Sequence, residues 1–252
     1  MNIIAVSNRK GGAGKTTTAV NLAAEFSASG NRTLLIDMDS QGHCSVGLGI
    51  KEIQKGKTIH SLFRDNTISL NNLIIPTSFE NLDLIPADPL FNHGKGNLSP
   101  YLLKEAIQRD SVLKHYNIIL IDTPPSLDTL LVNALVTADK VLIPFVPHQL
   151  SYEGIKQLIR SLYPIMLKEN PNLRILGFLP TMASDRMKFH IKIKGKVGEK
   201  FGDAKLLPPI HNSVKLAEAF AAGKPIRNYA PKSRGSKDYR ITANKILEII
   251  SN

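Results

Sequence analysis

Lys10-Gly11-Gly12-Ala13-Gly14-Lys15-Thr16-Thr17 is the stretch whose residue types and spacing most directly imply chemistry. Glycines are needed where backbone N–H groups turn inward around phosphate oxygens, because a Cβ would obstruct that approach. A helix starting directly after the loop adds free N–H groups and the positive end of its dipole. In that frame Lys15 supplies a mobile cation for the β- and γ-phosphates of a nucleotide, and the Thr16 hydroxyl can ligate Mg²⁺. The general spacing G-x-x-x-x-G-K-[ST] requires glycine at position 9; Arg9 stands there, and Lys10 and two glycines follow.

Such a loop must sit between a strand and a helix, and the surrounding pattern provides both. Apolar, β-branched runs predict strands over Ile3–Val6, Thr33–Met38, Leu82–Pro86, Asn117–Asp122, Lys140–Phe145 and Arg174–Leu179. Several are apolar without alternation, as in Ile118-Ile119-Leu120-Ile121, which is the signature of strands covered by helices on both faces. Helices are expected over Thr16–Ser27, Pro100–His115, Ser126–Thr137, Ser151–Glu169, Val214–Ala222 and Lys237–Ile250. Strands alternating with helices imply an α/β fold with a doubly wound, mostly parallel sheet. Without internal repeats or a low-complexity linker, the 252 residues read as a single domain. Gly and Asn punctuate Phe91–Ser99, which reads as a surface loop.

The modified loop resembles the deviant Walker A motif of the ParA/MinD family, and the resemblance extends over nearly the whole chain. Further matching motifs are Leu34-Leu35-Ile36-Asp37-Met38-Asp39-Ser40-Gln41-Gly42 and Ile121-Asp122-Thr123-Pro124-Pro125-Ser126-Leu127; Val214–Ala219 and Gly223–Ile226 match more distantly. The resemblance implies a P-loop ATPase using ATP and Mg²⁺ that forms an ATP-sandwich homodimer. It implies that Lys10 reaches across to the partner's nucleotide, where added positive charge would stabilise the transition state of phosphoryl transfer. It assigns catalytic roles to Lys10, Lys15 and Asp39, with Asp39 positioning the attacking water. Nucleotide contacts fall to Lys10, Gly11, Gly12, Ala13, Gly14, Lys15, Thr16 and Thr17, with Thr17 at the α-phosphate. Thr16, Asp37 and Asp122 would hold Mg²⁺, partly through water, as hard oxygen ligands do. An Asp after an apolar strand can also simply cap the next turn, so a structural role stays open for Asp37 and, less readily, for Asp122.

The sequence departs from the family pattern in places. Ser40 replaces the proline usual after Asp-x-Asp, which is expected to loosen the switch loop Ser40–Gly49. His211-Asn212-Ser213 replaces Pro-Arg-Asn, so Asn212 is carried over as an adenine contact on weaker grounds. Cys44 and His43 sit beside the switch loop with no second thiol or His pair, and read as filler in a flexible loop.

The chain carries 32 Lys/Arg against 21 Asp/Glu, a formal charge of +11, and 42% of its residues are hydrophobic. That composition excludes a disordered tail or a low-complexity scaffold. One cysteine excludes an internal disulfide and the iron–sulfur branch of the family, and a reducing cytoplasm is the expected location. No apolar run approaches the ~20 residues of a membrane span, and with a strand-like start no signal peptide is expected. Between Arg186 and Arg240 there are 14 Lys/Arg and 4 Asp/Glu; elsewhere the numbers are 18 and 17. A basic third on a neutral body suggests a polyanion partner, a solvated lysine-rich surface being the plain alternative.

A membrane-binding helix like that of MinD would need several cations near the C-terminus, where Ile241–Asn252 has one lysine. The basic third instead matches the ParA branch, which binds double-stranded DNA non-specifically as the ATP dimer. Candidate DNA contacts are Arg186, Lys188, Lys192, Lys194, Lys196, Lys215, Lys224, Arg227, Lys232, Arg234 and Lys237. With strand one beginning at Ile3, no N-terminal helix-turn-helix is expected. The implied partners are DNA and a ParB-like or other adaptor, with nucleoid association and no membrane. The cargo stays open between plasmid, chromosome and a protein organelle such as a carboxysome. The MinD-like membrane ATPase is the alternative, and a DNA-coating protein with negligible hydrolysis is a second.

Overall fold

Strands with no polar face must be covered on both sides, and the computed structural model, which describes residues 1–91 and 99–251, has them so. Seven strands form one sheet: β1 (Asn2–Val6), β2 (Thr33–Asp37), β3 (Ile75–Pro76), β4 (Leu82–Ile85), β5 (Ile118–Asp122), β6 (Lys140–Phe145) and β7 (Arg174–Pro180). Their spatial order is β3-β4-β2-β5-β1-β6-β7. All neighbours run parallel except the short edge strand β3, which the sequence pattern did not announce. Successive side chains enter opposite cores, as a strand's period of two dictates: Leu34 and Ile36 of β2 enter one, Leu35 the other.

Helices are α1 (Lys15–Ala28), α2 (His43–Gly47), α3 (Leu102–Arg109), α4 (Thr129–Thr137) and α5 (Gln149–Pro164), then α6 (Lys188–Phe201), α7 (Val214–Ala221), α8 (Ile226–Tyr229) and α9 (Arg234–Ser251). Leu103, Leu131, Leu158 and Ile193 carry α3, α4, α5 and α6 into one core; Phe26, Ala219 and Tyr239 carry α1, α7 and α9 into the other.

Side-chain hydrogen bonds moved several boundaries. The helix expected over Pro100–His115 ends at Arg109, where Asp110 turns its carboxylate to the Leu70 N–H and the Ser69 hydroxyl, and a 3₁₀ turn follows over Ser111–His115. The next helix starts at Thr129 rather than Ser126, because Asp128 caps it by accepting from the N–H groups of Leu130 and Leu131 at 3.0 and 3.1 Å. Helix α6 was not anticipated: Gly195 and Gly198 weaken its propensity, while His190, Ile193 and Val197 recur at the spacing of a buried stripe. Helix α9 begins three residues before the expected Lys237. Of the surface loop expected over Phe91–Ser99, residues 92–98 lie outside the described residues.

At one point two backbones meet. Gly49 and Gly223 have φ of +71° and +65°, and a Cβ on Gly223 would fall 2.6 Å from Gly49 Cα. This contact fastens the end of the switch segment to the turn between α7 and α8.

Candidate nucleotide and cation site

The sheet order decides what can meet at its C-terminal edge. β5 lies between β1 and β2, and the register pairs Asp122 with both Val6 and Asp37. The glycine loop leaving β1 therefore opens beside two carboxylates that are 85 residues apart in sequence. Within the loop Gly12 and Gly14 adopt φ of +72° and +82°, the left-handed region where any side chain is strained. Gly14 leads into α1, whose first turn has no acidic residue to occupy its free N–H groups.

Two residues outside the motif hold the loop. Asn8 accepts from the Lys10 N–H at 2.9 Å while its amide donates to the Pro144 carbonyl at 2.7 Å, and Thr181 donates to the Ala13 carbonyl at 3.0 Å. Thr181 lies beyond β7, so only strand order brings it to the loop; Asn8, two residues after β1, adjoins the motif without belonging to its pattern.

Lys15 is buried, and burial lowers its pKa against the pull of Asp122 and Asp39, which both favour its charge. Asp37 accepts from the Asp39 N–H at 3.1 Å and the Cys44 N–H at 3.0 Å. Asp39 accepts in turn from the Gln41 N–H at 3.1 Å, so this strand end is a chain of local turns. Burial pushes the Asp122 carboxyl up to about 6 while the Thr16 hydroxyl and Lys15 oppose the rise. Burial, and next the Asp122 charge, push Asp37 well above the usual range. Two buried acids with Lys15 beside them form a pocket short of positive charge. Among the described residues Asp122 Oδ1 has no hydrogen-bond partner, so the donor set of two carboxylates and a hydroxyl fits a hard divalent cation.

The switch segment differs from its expected looseness: residues 43–47 form α2, and Cys44 is fully buried. Its thiol donates to Asp122 Oδ2 at 3.5 Å, so this cysteine is part of the acidic pocket and not loop filler.

A cavity of about 500 Å³ adjoins the loop, lined by Gly14, Thr17, Met182, Ile210, Phe220 and Tyr239. Asn212 lies on it too, largely exposed, with its N–H donating to the Ala183 carbonyl at 3.1 Å. Gly11 and Gly12 are exposed at the loop, and Ala13 is buried beneath it. Lys10 Nζ lies 2.9 Å from His148 Nε2. Burial and the Lys10 charge push the His148 pKa down.

The basic candidates divide by environment. Arg186, Lys188, Lys192, Lys224, Lys232 and Lys237 are exposed, and among the described residues none of them makes an ion pair. Lys194 and Arg234 share Asp185 at 3.3 and 3.1 Å, Lys215 pairs with Glu218 at 2.7 Å, and Lys196 lies over the Tyr152 ring. Arg227 is half-buried and bound to the buried Glu25 at 2.7 Å.

A deviant phosphate loop at the C-terminal edge of a doubly wound parallel sheet defines a P-loop nucleotide-binding protein. A family described as an AAA domain matches residues 1–175. The chain is 37% identical over 247 residues to the sporulation initiation inhibitor protein Soj of Bacillus subtilis, covering 97% of each chain. It is 35% identical over 252 residues to the chromosome partitioning protein ParA of Caulobacter vibrioides, covering 98% of this chain and 94% of that one. The crystal structure of cobyrinic acid a,c-diamide synthase from Mycobacterium smegmatis with bound ADP and magnesium superposes with a TM-score of 0.81 at 26% identity, covering 100% of this chain and 96% of that one. The chain belongs to the ParA/MinD family of P-loop ATPases, with Soj and ParA partition proteins among its relatives. Among the described residues no helix is long and apolar enough to cross a membrane.

Proposed function

We propose that this single-domain chain is an ATP-hydrolysing switch that dimerises on ATP, binds double-stranded DNA without sequence preference, and positions DNA or another cargo with a ParB-like adaptor. The observation that carries this reading is the convergence of Lys15, Thr16, Asp37, Asp39 and Asp122 beneath a left-handed glycine loop, beside a cavity large enough for a base.

In this reading the loop N–H groups and Lys15 bind the phosphates, and the cavity by Thr17 and Asn212 receives the adenine. Thr16, Asp37 and Asp122 would hold Mg²⁺, which neutralises phosphate charge as it builds during transfer. Asp39 orients the attacking water. Lys10 exchanges His148 for the partner's nucleotide, so that hydrolysis waits for dimerisation. The exposed cations between Arg186 and Lys237 contact DNA phosphates, which suits a protein moving over the nucleoid.

Co-sedimentation with DNA under ATP, ADP or no nucleotide, at two salt concentrations and with anionic liposomes alongside, tests it. ATP-dependent, salt-sensitive DNA binding without liposome binding is expected. Liposome binding without DNA binding would overturn the reading in favour of a MinD-like membrane ATPase.

A further inference from the structure

We infer that Asp37, Cys44 and Asp122 form a site for a thiophilic divalent cation such as Co²⁺ or Zn²⁺, with the Cys44 sulfur as a ligand beside the two carboxylates. One ligand atom from each residue lies within 4.8 Å of the others, and all three residues are fully buried. The backbone presents the thiol to the acids: the Cys44 N–H is bonded to Asp37 Oδ2 at 3.0 Å while Sγ reaches Asp122 Oδ2 at 3.5 Å. Asp122 Oδ1 points to a ligand independently, because it is buried and has no hydrogen-bond partner among the described residues, although the Thr16 hydroxyl lies near enough to favour its ionised form.

The chemistry separates two kinds of ion. Mg²⁺ is hard and takes oxygen ligands, so it would leave the thiol protonated. A softer ion selects sulfur once the proton is gone. On binding, the metal–sulfur bond forms, the S–H bond breaks and the proton passes to solvent, with no change of oxidation state. A thiolate and two carboxylates then carry three negative charges, matched by the divalent ion together with the Lys15 ammonium, which already faces Asp122. The site shares its carboxylates with the cation position of the proposed switch, so thiophilic ions and Mg²⁺ exclude one another there. Binding requires neither nucleotide nor dimer and rests on that reading only through those shared residues.

Titrating the nucleotide-free protein with Co²⁺ tests the inference. A saturable near-ultraviolet sulfur-to-cobalt charge-transfer band, abolished by added Zn²⁺, is expected. Cys44→Ser should lose the band and bind Co²⁺ at least about tenfold more weakly. Its circular dichroism and thermal unfolding should match the wild type and verify the fold. Asp122→Asn, with the thiol intact, should weaken the same band. Uptake of Co²⁺ by the wild type without the band, or equal Co²⁺ affinity in wild type and Cys44→Ser, would overturn the inference. A cobalt band in a protein that binds no Mg²⁺-nucleotide would uphold this site and sink the switch reading instead.

Discussion

At the scale of single residues, the site concentrates charge where water is excluded. Lys15 faces Asp122 and Asp39, and burial works against its charge, so the ammonium is held by these acids until phosphates replace them as partners. Lys15→Gln keeps much of the side chain's length and removes its charge. Nucleotide binding measured by calorimetry should fall below detection in this variant; binding within a few-fold of wild type would contradict the role. Asp39 differs in kind, because its carboxylate is tied to the local turn through the Gln41 N–H and is not buried. Asp39→Ala should leave ATP binding intact and stall turnover, and would be seen as a dimer retained on DNA in sedimentation with ATP. Normal phosphate release by Asp39→Ala would remove this residue from the chemistry.

Secondary-structure elements decide which basic residues are available to a partner. Arg227, on the one-turn helix α8, ties that helix to Glu25 of α1, and Asn21 of α1 also accepts from the Ile226 N–H at 2.7 Å. Glu25 is buried, with its carboxyl raised by burial and drawn back by Arg227. Removing the guanidinium leaves a buried carboxylate short of a partner, so Arg227→Ala should cost about 2–3 kcal/mol in denaturant unfolding. That is less than for a fully enclosed pair, since Arg227 is partly solvated. The double variant Glu25→Gln/Arg227→Ala should recover most of the loss. Weakened DNA binding by Arg227→Ala with unchanged stability would instead place Arg227 at the DNA. A charge count groups Arg227 with the other cations because it carries no information about pairing.

For the molecule as a whole, the +11 charge resides mostly in the last third of the chain, away from the nucleotide motifs in sequence. Lys188 and Lys192 on α6, Lys232 just before α9 and Lys237 in its first turn are exposed cations with no acidic partner among the described residues. Reversing them together to Glu should abolish DNA retention and flatten its dependence on salt, since each lost phosphate contact lowers the salt slope by about one. ATP-dependent dimerisation, read by light scattering, should persist; loss of both would show that the substitutions had struck the fold.

Local spacing alone placed the glycine loop between a strand and a helix and located six of the seven strands; the roles expected of Asp37, Asp39 and Asp122 came from the resemblance. Left-handed backbone needs glycine wherever it occurs, and a strand covered on both faces needs unbroken apolar residues whatever its neighbours are. Helix α6 stayed hidden because two glycines dilute its propensity and only packing under His190, Ile193 and Val197 selects it. Strand order is not written in any local window. It alone set Asp122 against Asp37, brought Thr181 over the loop, turned Lys10 to His148, and enclosed Cys44 between two carboxylates. Contacts between residues distant in sequence follow from which strands lie side by side, and that is decided by packing the whole chain at once.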